Sequence, residues 1–176
     1  MAKPEIEIDV DPATGQWFVD QMPMILVPQH FYNNNHFALE TALGADGLDA
    51  ALAPAGRTSA YVWCQKQSEV YGLSGVDVFA HYMKRLSQRG WGRFSILAID
   101  PVAGTATIRL DHSSFVTPET RQFNRKLCYM FAPWLKGAME FACAQAGTPR
   151  TLVAHEVQCA GEGHDHCLFE VTPAEI

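Results

Sequence analysis

Residues 155–171 read HEVQCAGEGHDHCLFEV, setting Cys159 and Cys167 beside His155, Glu156, His164 and His166 around two glycines. Thiolate, imidazole and carboxylate are zinc donors, and a closed tetrahedral site takes four of them. Read as strand, tight turn and strand, the stretch places the two cysteines at the ends of a hairpin loop, where their sulfurs can converge. Seven residues separate them, wider than the roughly two to four of compact zinc knuckles. On a regular strand His155, Val157 and Cys159 share one face and Glu156 takes the other. Glu156 and Cys159 can therefore share a metal only across a bulge or at the strand's end. On strand geometry alone His155 is the better partner for Cys159. A polar hairpin with two unpaired thiols is the competing reading.

No other stretch carries a reaction. The chain lacks a G-x-S-x-G elbow, a P-loop and a dinucleotide fingerprint. GLSGVD at residues 72–77 reads as a helix start with Ser74 as N-cap. His112 stands between Asp111 and Ser113, but neighbours along a strand face opposite ways, so DHSS builds no local triad. No catalytic residue is assigned. Trp91, Phe94, Phe115, Tyr129, Phe131, Trp134 and Phe141 fall in the segments that flank a sheet and a long helix. Such aromatics ordinarily make core, yet small-molecule sites are also apolar with a few placed polar groups. The candidate pocket set is Trp91, Phe94, His112, Phe115, Tyr129 and Trp134, with Arg109 and Asp111 adding polarity.

The elements that must position these residues follow from periodicity. Residues 6–21 alternate about a Pro/Gly turn and predict a β-hairpin. Helices are predicted over 29–43, 48–52, 57–71 and 76–89, the last with Val78, Phe79, Tyr82, Met83 and Leu86 at helical spacing. GRFSILAID and TATIRLDHSSF read as two strands about a turn with Pro101 and Gly104, and Thr117-Pro118-Glu119 as a helix start. A long apolar helix over 125–146 and two strands flanking the Gly-rich turn complete an α+β fold: an antiparallel sheet packed with helices, an N-terminal hairpin and a C-terminal metal-binding hairpin. At 176 residues the chain predicts a single domain, with residues 1–89 as hairpin and helices and 90–172 as the sheet-bearing module.

Composition narrows the classes. With 48% hydrophobic and 18% charged residues the chain is of globular type. A net charge of -6 without a basic patch argues against nucleic acid as partner. No apolar run approaches a membrane span or a signal region, and five cysteines suit a reducing compartment, so a cytoplasmic protein without a disulfide framework is expected.

The stretch EVQCAGEGHDHCLF at 156–169 resembles the closing signature of the 4-vinyl reductase domain family, which includes the sensory domains of bacterial activators responsive to phenol and xylene. In those sensors the glutamate and both cysteines hold a structural zinc with a cysteine that opens the preceding helix. Cys128-Tyr129 matches that cysteine, Gly137 its second glycine, and Pro133 replaces the first. The resemblance therefore implies a structural Zn(2+) on Cys128, Glu156, Cys159 and Cys167, with the three histidines left as solvated or supporting residues and Cys64 and Cys143 as buried thiols. GWGRFSILAID and IRLDHSSF resemble the first strands of the family domain. The N-terminal hairpin followed by a helix ending in LG resembles the segment through which the sensors dimerise. The histidine and tryptophan that hold the sensors' effector are unmatched: Leu86 or Ser87 and RLDHS stand in their places. A ligand other than a simple phenol is implied.

The expected function is a stand-alone, zinc-containing small-molecule-binding protein, a sensor or accessory, acting as a homodimer on a small hydrophobic or mixed-polarity molecule and leaning away from catalysis. The alternatives are an enzyme or enzyme subunit acting on a tetrapyrrole or other hydrophobic substrate with a partner's reductant, and a scaffold subunit. Haem would require His81 or His112 as its axial ligand.

Overall fold

The strands of this computed structural model, which describes residues 5–175, divide into two antiparallel sheets. The first is small: β1 (Asp9–Val10), β2 (Trp17–Val19) and β3 (Met22–Met24), in that order. Asp11 shapes the β1–β2 turn by accepting from the Ala13 amide and the Thr14 hydroxyl. Asp20 and Gln21 both take left-handed φ values, 52° and 62°, as a two-residue hairpin turn requires. The predicted hairpin is thus present and gains a third strand.

The second sheet runs β4 (Arg93–Asp100), β5 (Thr105–Asp111), β7 (Cys167–Pro173), β6 (Leu152–Gln158). Ala106, Ile108 and Leu110 alternate inward on β5, and Cys167, Phe169 and Val171 do so on β7. Ile108 pairs with Phe169 and Leu110 with Cys167, so one register aligns both apolar faces. One residue of the C-terminal cluster, Cys167, therefore sits at the end of the sheet's buried face.

Helices cover that face. They are α1 (Gln29–Leu43), α2 (Ala45–Tyr71), α3 (Val76–Gln88), the short α4 (Pro118–Arg121) and α5 (Phe131–Gln145). α4 begins as predicted, with Thr117 as its cap and Thr120 bonding back in a capping box. α3 begins at Val76 as predicted, but Gly75, with φ 53°, holds the N-cap position in place of Ser74.

Two predicted boundaries are corrected. The helices expected at 48–52 and 57–71 are one helix, α2, which runs through Pro54. Proline removes one ladder hydrogen bond, but α2 is held by its packing on α5. A Cβ at Gly56 would stand 2.7 Å from Trp134 Cδ1, and one at Gly137 would collide with the Arg57 carbonyl, so glycine sets the close approach of the two helices. The helix expected over 125–146 begins only at Phe131. Residues 125–130 stay irregular because the Leu127 and Cys128 amides donate to Cys159 Sγ and Glu156 Oε2 instead of to helical carbonyls.

Candidate functional site

A bulge in β6 builds the site. Glu156 pairs with Phe169 and Gln158 with Leu168, so the strand gains a residue at Val157 and its parity resets. Glu156 and Cys159 thereby come to one side while His155 and Val157 are exposed. The better partner on regular-strand geometry, His155, is thus replaced by Glu156. After β6, Cys159 caps a 3-10 turn (Ala160–Glu162): its sulfur accepts from the Gly161 amide at 3.2 Å, and Glu162 accepts from the Cys159 amide at 3.0 Å.

Cys128, Glu156, Cys159 and Cys167 converge with their donor atoms all within 4.8 Å of one another, and all four are buried. Cys167 Sγ lies 3.6 Å from Cys128 Sγ and 3.7 Å from Cys159 Sγ. A tetrahedron with metal–sulfur bonds of about 2.3 Å has sulfur–sulfur edges of about 3.8 Å, so the spacing fits one ion at the centre. Glu156 Oε2 accepts from the Cys128 amide at 3.0 Å, whereas its buried Oε1 has no partner, which leaves one carboxylate oxygen free for a fourth bond. Backbone amides support the sulfurs: Leu127 N donates to Cys159 at 3.4 Å and Ala160 N to Cys167 at 3.3 Å.

The charge state matches a site that exchanges protons for a cation. Burial, reinforced by the charge on Cys159, pushes the Glu156 carboxyl up to about 9. Burial also raises the Cys128 thiol. Cys167 is raised too: its contact with Cys128 lowers it, but the hydrogen bond it donates to Cys159 and its burial prevail. The neighbouring thiols of Cys128 and Cys167 hold Cys159 down at about 2. These directions make Cys159 the thiolate of the ion-free cluster, with Cys128, Cys167 and Glu156 holding their protons more tightly. Three sulfurs and one carboxylate oxygen suit a soft-to-borderline divalent ion in tetrahedral geometry, and four protein donors fill such a site.

Sequence reasoning missed the supports. Ser113 Oγ accepts from Cys128 Sγ at 3.0 Å, so DHSS contributes through its serine. Gly161 admits the Arg125 carbonyl and the Leu127 side chain: a Cβ there would lie 2.5 Å from the Arg125 carbonyl oxygen. The glycine in CAGEG was the visible signal. His164 is exposed, and His166 bonds Asp165 at 2.6 Å. Cys64 and Cys143 are free buried thiols, as expected.

The candidate pocket residues divide. Trp91, Phe94, Phe115 and Trp134 surround the fully buried ring of Phe131, with centroids 5.9, 5.4, 5.5 and 5.3 Å from it. Phe131 fills the space between them, and the rings pack around it as core. Tyr129 is elsewhere: it packs on His36 and lines a cleft of about 680 Å³ beside Glu156, Lys126 and His155. His112 is exposed at a left-handed φ of 54°, apart from the aromatic cluster. Arg109 is bound to Asp111 at 2.7 Å, and Arg93 approaches the same carboxylate, so these charges satisfy one another on the sheet. Open space adjoins Trp91 instead in a cleft of about 300 Å³, bounded by residues 24–27, Tyr32, Arg89 and Ser114.

Known structures share this architecture. The phenol-responsive sensory domain of the transcription activator PoxR, solved with phenol, is 18% identical at TM-score 0.75, over 94% of this chain and 84% of that one. A vinyl-4-reductase family protein from Methanocaldococcus jannaschii is 18% identical at TM-score 0.54, over 86% and 85%. A trafficking protein particle complex subunit 3 from Naegleria fowleri, covalently bound to palmitic acid, is 14% identical at TM-score 0.55, over 84% and 95%. At these identities the likeness is one of fold. No curated protein sequence matches the chain. Among the described residues no helix is long and apolar enough to cross a membrane. Residues 2–97 match the sequence family described as "Domain of unknown function (DUF5943)", which is 96 of the 176 residues, and the chain belongs to that family.

Proposed function

We propose that the protein is a small-molecule-binding domain of the 4-vinyl reductase type whose C-terminal sheet is pinned by a structural zinc ion on Cys128, Glu156, Cys159 and Cys167. The observation that carries this reading is the four-donor cluster, with sulfurs at tetrahedral spacing and a free carboxylate oxygen. Bound there, the ion would supply cross-linking: it would join the β6–β7 loop to the segment before α5. The residues do the rest. The amides of Leu127, Ala160 and Gly161 stabilise thiolate charge, and Ser113 orients Cys128.

Ligand binding is supported by the fold shared with a sensory domain solved with phenol and by the cleft beside Trp91. Trp91, Phe94, Phe115 and Trp134 form the rigid wall behind that cleft, while Tyr129 and His112 are the outlying members of the candidate set. The whole of residues 1–176 acts as one unit, working in the cytoplasm without nucleic acid as its direct partner. It pairs as a homodimer through the N-terminal segment, where Ile25 and Leu26 are 83% and 75% exposed. The test is a thermal-shift panel of small aromatic and aliphatic compounds on zinc-loaded protein, with sedimentation equilibrium. Stabilisation by a compound and a mass of twice 19.5 kDa are expected. A monomer indifferent to every compound would contradict the ligand-binding and dimer readings together.

A further inference from the structure

Unsatisfied buried polar atoms concentrate where α2, α3 and the first sheet meet. Arg89, at the C-terminal end of α3, leaves both Nε and Nη2 buried without a partner. Its guanidinium lies 5.1 Å over the Trp63 ring, which stacks on His81 from 5.5 Å. The nearby carboxylate, Asp20, is shared: its Oδ1 accepts from Arg85 at 2.6 Å and from Tyr71 at 2.7 Å, and its buried Oδ2 makes no hydrogen bond. Buried cations are ordinarily paired, because desolvation is recovered only through a counter-charge or hydrogen bonds. Arg89 has Asp20 as a neighbouring counter-charge but no hydrogen bond from Nε or Nη2 among the described residues, and burial holds its guanidinium below the usual arginine value.

Arg89 borders the 300 Å³ cleft next to Trp91. So does Ser114, whose buried hydroxyl also lacks a partner. Gln29 and Asn33 both spend their amides on the Ser114 carbonyl, at 2.5 and 2.8 Å, and so fix that wall. The remaining walls are apolar or aromatic: residues 24–27, with Tyr32 and Trp91 in edge contact at 5.1 Å. No acidic residue lines the cleft. An apolar recess of this volume, with a few convergent polar groups, is the usual form of a small-ligand site. A planar guanidinium with spare donors selects a carboxylate in preference to a neutral polar group.

We propose that this cleft binds a small amphipathic carboxylate, its ring or chain against Trp91, Tyr32 and residues 24–27 and its carboxylate on Arg89 and Ser114. The proposal rests on the small-molecule-binding reading above and names its ligand class. The test is isothermal titration of the full chain with benzoate and phenylacetate against their neutral counterparts benzamide and phenol. Wild type, Arg89→Met and Arg89→Lys are compared, with the melting midpoint of each variant recorded. The acids are expected to bind at least about tenfold more tightly than the neutral compounds, the yield of one good charge-assisted contact. Arg89→Met should abolish that preference, and Arg89→Lys should retain part of it. If Arg89→Met does not fold, Arg89→Lys alone decides, since it keeps the charge and loses the planar fork. Equal affinity for acids and neutrals, or a preference that survives both substitutions, would overturn the carboxylate assignment while the broader reading stands. No binding of either class would overturn the assignment and count against the broader reading as well.

Discussion

The backbone amide of Cys128 donates to the carboxylate of Glu156 across 3.0 Å, although they stand 28 positions apart in the chain. That bond and the free Oε1 beside it divide the carboxylate between a backbone anchor and a metal-facing atom. Replacing Glu156 by alanine removes both. The Cys128 amide then loses its acceptor in a buried setting, a cost of about 1–3 kcal/mol before any metal effect. Glu156→Gln keeps an amide-accepting oxygen and should fold better than Glu156→Ala in the presence of a chelator. Both should hold zinc more weakly than wild type. Urea titration of the three proteins with and without chelator checks the order.

Zinc binding should release about three protons near neutral pH, one each from Cys128, Cys167 and Glu156, because those groups are raised and Cys159 is already ionised. Affinity must therefore fall steeply as pH is lowered. Calorimetry in two buffers of different ionisation enthalpy counts the protons. Release of one proton or none would mean that the thiols are ionised before the metal arrives.

The ion-free domain should behave differently. Glu156, raised from 4.5 to about 9, contributes stability that is full below 4.5 and is lost as pH rises through 9. Cys159, lowered from 9.0 to about 2, contributes stability that is full above 9.0 and is lost as pH falls toward 2. Between about 4.5 and 9 the two slopes oppose each other, and folded and unfolded chains carry the same one negative charge. The melting midpoint of chelated protein should hardly change from pH 5 to 8 on account of this cluster, while that of the zinc-loaded protein rises.

How much of this was legible depended on whether a feature was local. The α1 boundaries, the sheet strands and the Thr117 cap are written in periodicity and cap residues within a few positions. The convergence of Glu156 with Cys159 needed the bulge at Val157, a residue with no turn chemistry of its own, so strand parity alone favoured His155. The start of α5 was invisible because the apolar run 127–135 continues across it. Only the tertiary capture of the Leu127 and Cys128 amides delays the helix start to Phe131. Pro54 reads as a stop by propensity, and packing on α5 overrides it. The aromatic set was recognised, but no pattern could tell that Phe131 fills its centre.

Gly137→Ala should destabilise the domain by about 1–3 kcal/mol, the usual cost of overpacking, because the new methyl meets the Arg57 carbonyl on the neighbouring helix. Gly161→Ala should cost a similar amount, about 1–3 kcal/mol, and in addition weaken zinc, since it pushes on the Arg125 carbonyl and the Leu127 side chain, next to the Leu127 amide that supports Cys159. Thermal melts with and without chelator separate the two: the chelator should narrow the gap to wild type for Gly161→Ala and leave it unchanged for Gly137→Ala.

Phe131→Ala should cost about 3–5 kcal/mol, as large-to-small changes at fully buried aromatics do, and open a void between Trp91, Phe115 and Trp134. Chemical denaturation measures the loss. Near-neutral stability of the variant would contradict the assignment of this cluster as core.

The most direct test of the account is the metal content of protein purified without added metal, measured by elemental analysis for wild type and Cys159→Ser. About one zinc per chain in wild type is predicted, as a closed four-donor site requires, with the metal and part of the thermal stability lost together in Cys159→Ser. A stable, folded wild-type protein containing no zinc would contradict it, and the cluster would then be a set of buried thiols around a protonated carboxyl.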